Sequence, residues 1–382
     1  MNGGIRMFPK DEEIRLLCDG KEAFPELLSC IQTAKTSIFI NMFIWRNDAI
    51  GKAIARELIT AANRGVQITI QKDRYGISCE YSEEDQTSMF HSTPTAYETA
   101  SIRILEWLYN RDLYGNEHTG LTEPLAAQLL SHPNVTVSCE DTRKDHSKFY
   151  IFDETVLILG GINIEDKENG QDRAGRVYRD FMIRITGKNW VESFLNYRKG
   201  TETPALFKGN VKKPVRFFHV KDAYLDLIRQ AEKELTILMA YFSPIPEFMN
   251  AIEQALDRGV QVRILIPARA NFDDDTNKRT ASILYRYAEE TGRQLALFLS
   301  PDMTHTKFLM SEKMICLGSC NITRNAFDTL DEMNVVYPND NSRFAKRANE
   351  QANDIIAGAK RVTSIRELAY HHGRAMLERT VM

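Results

Sequence analysis

Two short triplets in this sequence combine residues able to do chemistry on an anion: His146-Ser147-Lys148 and His305-Thr306-Lys307. After each lysine four residues intervene before a carboxylate, Asp153 or Glu312. Each copy then runs on to a glycine-bearing segment ending in asparagine, Gly160-Gly161-Ile162-Asn163 or Gly318-Ser319-Cys320-Asn321. Histidine can attack, donate a proton or accept one near neutral pH. Lysine and asparagine can hold the oxygens of an anion while charge develops. A phosphodiester needs these services together, because its charge repels nucleophiles and its alkoxide leaves poorly. Lys148 and Lys307 would neutralise the non-bridging oxygens, helped by hydrogen bonds from Asn163 and Asn321. Two histidines facing each other across phosphorus can divide attack and protonation if their surroundings split their protonation states. One such triplet is ordinarily a solvated strand face; two with the same downstream residues read as one paired site. The scheme requires no metal and no cofactor.

The elements that must position these residues are hairpins. Phe149-Tyr150-Ile151-Phe152 and Phe308-Leu309-Met310-Ser311 follow the lysines and read as strands. Residues i and i+2 of a strand share a face, so each histidine projects with its lysine. After a turn at Asp153-Glu154 or Glu312-Lys313, a second apolar strand runs back to the glycines and brings Asn163 or Asn321 to the same end. The glycines are expected to let backbone approach a ligand closely. Asp153 and Glu312 read as turn carboxylates with a structural task.

The chain repeats itself around these hairpins. Ala34 to Trp45 and Ala231 to Phe242 both read as buried strands. Each precedes an amphipathic helix that ends in Arg-Gly-Val-Gln, at Arg64 to Gln67 and at Arg258 to Gln261. Phe248, Ile252, Ala255 and Leu256 recur at helical spacing. Asp48 suits an N-cap, Pro246 a first helical turn, and Gly65 and Gly259 the left-handed residue past a helix end. Strand, helix, strand with short connections implies parallel strands covered by helices. The first half alone carries an insertion between Asp73 and Glu140: a polar stretch from Ser78 to Thr95, then Ile102, Ile104, Leu105, Trp107, Leu108 and Tyr109 in helical pattern. It reads as a helical subdomain packed on the sheet. The sharper alternative is a lid or membrane-facing element, since Trp and Tyr favour interfaces.

A chain of 382 residues with 43% hydrophobic and 26% charged residues is globular and long enough for two domains. The formal charge of -3 lacks the basic footprint of a non-specific nucleic-acid binder. Six scattered cysteines without a CxxC pair fit a reducing compartment. No apolar run opens the sequence as a signal peptide does, and none approaches a membrane span. A cytoplasmic location is expected, with room for a peripheral position at the inner membrane face. Arg173, Arg176 and Arg179 could read a second phosphate, although a solvated loop is the better reading. His371 and His372 are expected to be solvated, and His91, His118, His132 and His219 are isolated.

The paired motif resembles the phospholipase D superfamily, whose mark is HxKxxxxD followed by G-[GS]-x-N. The first copy matches fully, and the second departs only at Glu312. The resemblance implies an α/β fold: two duplicated phospholipase D-like α/β domains, mixed sheets flanked by helices, pseudo-twofold symmetry and a helical insertion in the first. It places them at residues 1–205, with the insertion at about 78–132, and 206–382. It further implies that His146 is the nucleophile, forming a phosphohistidine, and that His305 is the general acid and base. The motif residues alone leave the swap open. Asp180 and Glu332 are similar to the downstream acids of the family, which often orient the histidine of the opposite motif; Asp180 would serve His305 and Glu332 would serve His146. The segments Phe43-Ile44-Trp45, Asp73-Arg74-Tyr75-Gly76 and Glu332-Met333-Asn334 look like bacterial cardiolipin synthase-like proteins without membrane spans. The implied activity is phosphatidyl transfer to an alcohol, or hydrolysis, on a glycerophospholipid at a membrane surface. A nuclease of the same superfamily is the alternative, and a catalytically silent lipid- or phosphate-binding scaffold is a third reading.

Overall fold

The computed structural model describes residues 7–83, 87–109 and 123–381. Among them, two large mixed sheets carry the same strand grammar. The first runs Ile14–Cys18, Phe181–Thr186, Val156–Gly160, Lys148–Phe152, Ser37–Met42, Gln67–Lys72, Val135–Ser138. The second contains the matching order Glu332–Pro338, Met314–Gly318, Lys307–Ser311, Glu234–Met239, Gln261–Pro267, Leu295–Ser300, with short or antiparallel additions at both edges. In each sheet the last three of these strands are parallel and the motif strands are antiparallel. The first sheet draws on residues 14–186 and the second on residues 207–361.

Local chemistry sets the repeated unit. Asp48 caps the helix Ala49–Asn63, its Oδ1 accepting the Gly51 N–H at 2.9 Å. Pro246 opens the helix Pro246–Asp257, and Phe248, Ile252, Ala255 and Leu256 are buried against the sheet. Gly65 and Gly259 lie just beyond the two helices at φ +95° and +85°, where a β-carbon would be strained. Asp153 and Glu312 then tie each hairpin turn to the start of the neighbouring strand. Asp153 accepts N–H bonds from Lys35, Thr36 and Ser37, and Glu312 accepts them from Glu232, Lys233 and Glu234. The longer Glu312 side chain does the same work as Asp153 at longer distances, so the departure from aspartate is absorbed.

The halves share a core. Phe149, Leu159 and Ile183 of the first sheet pack in one cluster with Leu238, Phe308 and Leu317 of the second. The helix Arg343–Ala357 follows the last motif strand of the second half and packs on Ile14–Cys18 of the first. The helix Lys188–Lys199 makes the reciprocal contact with Phe207–Val211. These exchanged helices hold the two sheets face to face and bring the two motif ends together.

The insertion divides in two. Pro124–Ser131 packs on Ala49–Asn63 and Val135–Ser138, as a subdomain resting on the sheet would. Ile77–Ser82 packs on Ala96–Leu108 beside the motifs instead. Ala96–Leu108 begins six residues before the apolar pattern that marked it, because Thr95 and Glu98 form a capping box. His118 lies outside the described residues.

Candidate active site

The two histidines meet because backbone hydrogen bonds cross between the halves. His146 N–H donates to the carbonyl of Asp331 at 2.8 Å, and His305 N–H donates to that of Arg179 at 2.8 Å. Asp331 precedes Glu332 and Arg179 precedes Asp180, so each crossing delivers a carboxylate to the imidazole of the opposite half. His146 Nδ1 lies 3.0 Å from Glu332 Oε1. His305 Nδ1 lies 3.0 Å from Asp180 Oδ2 and 3.2 Å from Glu168 Oε1, with neither oxygen well aligned to the ring N–H. In both cases Nε2 is the nitrogen left for a ligand.

Glu168 escaped the sequence reading. It stands on the short helix Asp166–Asn169 just after Asn163, and it is buried. The acidic run Glu165-Asp166-Lys167-Glu168 was the available signal, and an exposed loop would have produced the same pattern. The second half has no acid there, since Thr323-Arg324-Asn325-Ala326 follows Asn321 and Ile322. The symmetry of the site is broken at this point.

The unequal partners separate the histidines. Burial pushes His146 well below the usual histidine range, and Lys148 and Lys307 push it further. Burial and Lys307 also act against a charged His305, but Glu168 and Asp180 outweigh them and raise it. Burial pushes Glu332 up to about 8, against the opposing pull of Lys148. The surroundings therefore favour the neutral form of the His146 imidazole and the protonated form of His305.

Lys148 and Lys307 lie beneath the histidines and are fully buried. Lys148 Nζ donates to the His146 carbonyl at 2.6 Å; Lys307 Nζ donates to the His305 carbonyl and, at 3.3 Å, to Asp180. Burial lowers Lys148 to about 7. Asn163 and Asn321 are buried at the cavity wall, and each has an Oδ1 without a hydrogen-bond partner among the described residues. Such amides can turn toward an incoming anion.

The glycines serve a different purpose from the expected one. A β-carbon on Gly161 would overlap the Asp180 carboxylate, and one on Gly160 or Gly318 would overlap the backbone of the neighbouring strand. Their smallness makes room for the Asp180 carboxylate and the sheet, not for a ligand. Ser319 stands at the position of Gly161, and its hydroxyl bonds Glu332. Arg176 and Arg179 are likewise committed: Arg176 pairs with Asp172, and Arg179 with Asp19 and Asp302. Neither lines the cavity.

His146, His305, Asn163 and Asn321 open into one cavity of about 350 Å³. Phe43 stacks edge-on to His146 at 4.8 Å, and Tyr178 and Tyr241 flank His305 at 6.1 and 6.0 Å. The insertion supplies a wall through Tyr97, Ser101, Ile104 and Leu105. A buried cluster of Arg46, Glu83, Glu165 and Lys167 closes the floor. Glu168, Asp180 and His305 lie close enough to offer ligands to a metal ion, but Lys307 already places a positive charge on Asp180. His91 spends its Nε2 on the Cys139 carbonyl at 2.8 Å, which leaves the group His91, Cys139 and Glu140 poorly suited to a cation.

Residues 27–197 and 224–356 match the family described as cardiolipin synthase, PLD-like domain. The chain belongs to that family. Cardiolipin synthase B of Shigella flexneri is 23% identical over 369 residues, covering 90% of this chain and 80% of that protein. Cardiolipin synthase of Listeria innocua is 25% identical over 355 residues, covering 85% of this chain and 65% of that one. Among solved structures, phosphatidylserine synthase of Haemophilus influenzae superposes with a TM-score of 0.69 at 16% identity, over 97% of this chain and 92% of that one. Polyphosphate kinase of Porphyromonas gingivalis superposes at 0.52 and 12% identity, over 96% of this chain and 52% of that one. The duplicated phospholipase D-like fold is thus shared with proteins named for different reactions, and chemistry must be argued from the site. No helix among the described residues is long and apolar enough to cross a membrane.

Proposed function

We propose that this protein transfers a phosphatidyl group between alcohols, or to water, through a phosphohistidine on His146, with His305 as acid and then base. The observation that carries the reading is that two histidines, each with Nδ1 against a carboxylate of the opposite half, open into one cavity whose surroundings push His146 down and His305 up. His146, uncharged and with Nδ1 turned to Glu332, presents the Nε2 lone pair to phosphorus. As that bond forms, the bond from phosphorus to the leaving oxygen breaks, and His305 gives that oxygen its proton. In the second half an alcohol or water loses a proton to His305, its oxygen bonds phosphorus, and the bond to His146 breaks. Lys148 and Lys307 act from beneath on the charge of the phosphate, and Asn163 and Asn321 hold its oxygens. The family and the named relatives point to a glycerophospholipid as donor.

The same reading places the protein at a lipid surface. Tyr97, Ile104 and Trp107 are exposed on one stripe of the helix Ala96–Leu108, and two of them also border the cavity. The helix His372–Val381 packs against it and exposes Met376 and Leu377. Nearby, Arg279 and Arg324 lie close enough to Arg379 to act on its charge, and none of the three has an ion pair among the described residues. Apolar side chains beside unpaired cations suit the interface of an anionic bilayer.

The test is the lipid product profile by mass spectrometry after incubation with phosphatidylglycerol vesicles in EDTA. Cardiolipin with free glycerol, or phosphatidic acid, is expected from the wild type and not from His146→Ala. With a phosphatidyl-nitrophenol donor, whose leaving group needs no proton, His305→Ala should accumulate a phosphatidyl adduct on the His146 peptide. An adduct on His305, or turnover that survives His146→Ala, would overturn the assignment.

A further inference from the structure

Asp273 immediately precedes the helix Asp274–Thr291, where an aspartate ordinarily accepts a helix N–H. Here it does not: its backbone is left-handed at φ +55°, and its side chain makes no capping bond. The neighbouring acids are engaged, Asp274 with the Ala270 N–H at 2.8 Å and Asp275 with the His371 N–H at 2.8 Å. The Asp273 carboxyl has no hydrogen bond or ion pair among the described residues, and the residue is 3% exposed and lines the cavity. Burial, with Glu378 adding to it, pushes that carboxyl well above the usual range. A neutral carboxyl both donates and accepts, and one left bare in a buried site awaits a partner. A non-glycine residue held left-handed at a cavity wall also marks a position shaped for use.

Its surroundings are hydrogen-bonding and lead back to His305. Tyr241, which flanks the His305 ring, donates its hydroxyl to Asn271 Oδ1 at 2.7 Å. Asn271 Nδ2 donates to Glu83 Oε1 at 2.7 Å. Glu83 is itself neutralised by Arg46 and by Lys167 at 2.6 Å, so this wall holds no spare negative charge for a cation. The His146 side differs, with Phe43 and Tyr75 forming an aromatic face.

In-line displacement connects these facts. With phosphorus on His146, the leaving and the entering oxygen both lie on the face toward His305. The remainder of either alcohol must then occupy the His305 side of the cavity. We propose that this side is a subsite for an uncharged alcohol with several hydroxyls, recognised by Asp273 together with the Asn271–Glu83 wall, and that it selects the alcohol which takes the phosphatidyl group. The inference rests on the phosphatidyl-transfer reading above. In the step it governs, one hydroxyl of the bound alcohol gives its proton to His305, that oxygen bonds phosphorus, and the bond from phosphorus to His146 breaks.

The experiment uses a phosphatidyl-nitrophenol donor in micelles with glycerol, propan-1-ol or ethanolamine at equal concentration. Nitrophenol release reports formation of the intermediate. The ratio of transfer product to phosphatidic acid reports acceptor choice, independently of how much enzyme is folded. The wild type should favour glycerol over propan-1-ol and ethanolamine by roughly tenfold or more, as a site built for hydroxyls does. Asp273→Ala should reduce that preference roughly tenfold, the loss expected for a buried hydrogen bond to ligand. Asp273→Asn, which keeps a donor and an acceptor, should retain most of it. Equal use of propan-1-ol, preference for ethanolamine, or an unchanged preference in Asp273→Ala would each overturn the subsite while leaving phosphatidyl transfer intact. Absence of nitrophenol release from the wild type would instead overturn the transfer reading, and the subsite with it.

Discussion

Glu168→Gln removes one of the two carboxylates that flank His305 and keeps the shape of the site. Glu168 Oε1 stands 3.2 Å from His305 Nδ1, and no acid takes the equivalent place beside His146. His305 is raised because Glu168 and Asp180 together outweigh burial and Lys307. A group raised in this way is protonated below its folded pKa and loses the proton as pH rises through it. An opposite charge at this range ordinarily shifts a pKa by one to three, so the alkaline limb of kcat should move down by roughly one to three pH units in Glu168→Gln. Above that limb the acid is missing, and turnover of a phosphatidylglycerol donor at pH 8 should fall by roughly tenfold or more. A nitrophenyl donor leaves without a proton, so formation of its intermediate should be far less affected. The assay is a pair of pH profiles, one for each donor, with wild type and variant in parallel. An unmoved alkaline limb, or equal losses with both donors, would refute the division of labour between the histidines.

Other expectations follow from the same contacts. Gly161→Ala should lower both stability, by about 1–3 kcal/mol in urea unfolding, and kcat, because the new methyl displaces the Asp180 carboxylate from His305. Asp153→Ala should cost about 1–3 kcal/mol of stability, since N–H donors at the turn lose a charged acceptor, while kcat per folded molecule stays near wild type. Asp153 is pulled below the usual carboxylate range because backbone N–H bonds outweigh burial; its contribution is therefore full above the ordinary aspartate range and lost as pH falls below it, so unfolding curves of wild type and variant should converge in strong acid. Serine at both Tyr97 and Trp107 should weaken binding to anionic vesicles in flotation assays by roughly tenfold, while a soluble short-chain donor is still turned over; undiminished flotation would move the lipid-facing surface elsewhere.

Much of this protein was legible in one dimension. The repeated hairpins, the capping aspartate and the end glycines of the repeated helices, and the turn carboxylates all depend on interactions among residues close in sequence or adjacent in a sheet. Such interactions leave regular spacings. The duplication doubled the signal, so that two weak triplets identified each other.

The differences between the halves were not legible, because they arise where distant segments cross. Glu168 reads as one acid in a polar loop; only the fold buries it against a histidine from the other half. The glycines read as sites of ligand approach, whereas packing against Asp180 and the neighbouring strands decides their size. Arg176 and Arg179 read as a solvated loop, with phosphate binding as the alternative; only the fold shows their partners Asp172, Asp19 and Asp302. Asp273 drew no notice in the sequence, and only its turned backbone and its place in the cavity wall single it out. The sequence by itself determined which chemical groups are present and that they come in two sets. The tertiary structure decided that the two histidines are pushed in opposite directions, because burial and opposite charges act through space and are set by the crossing of the two halves.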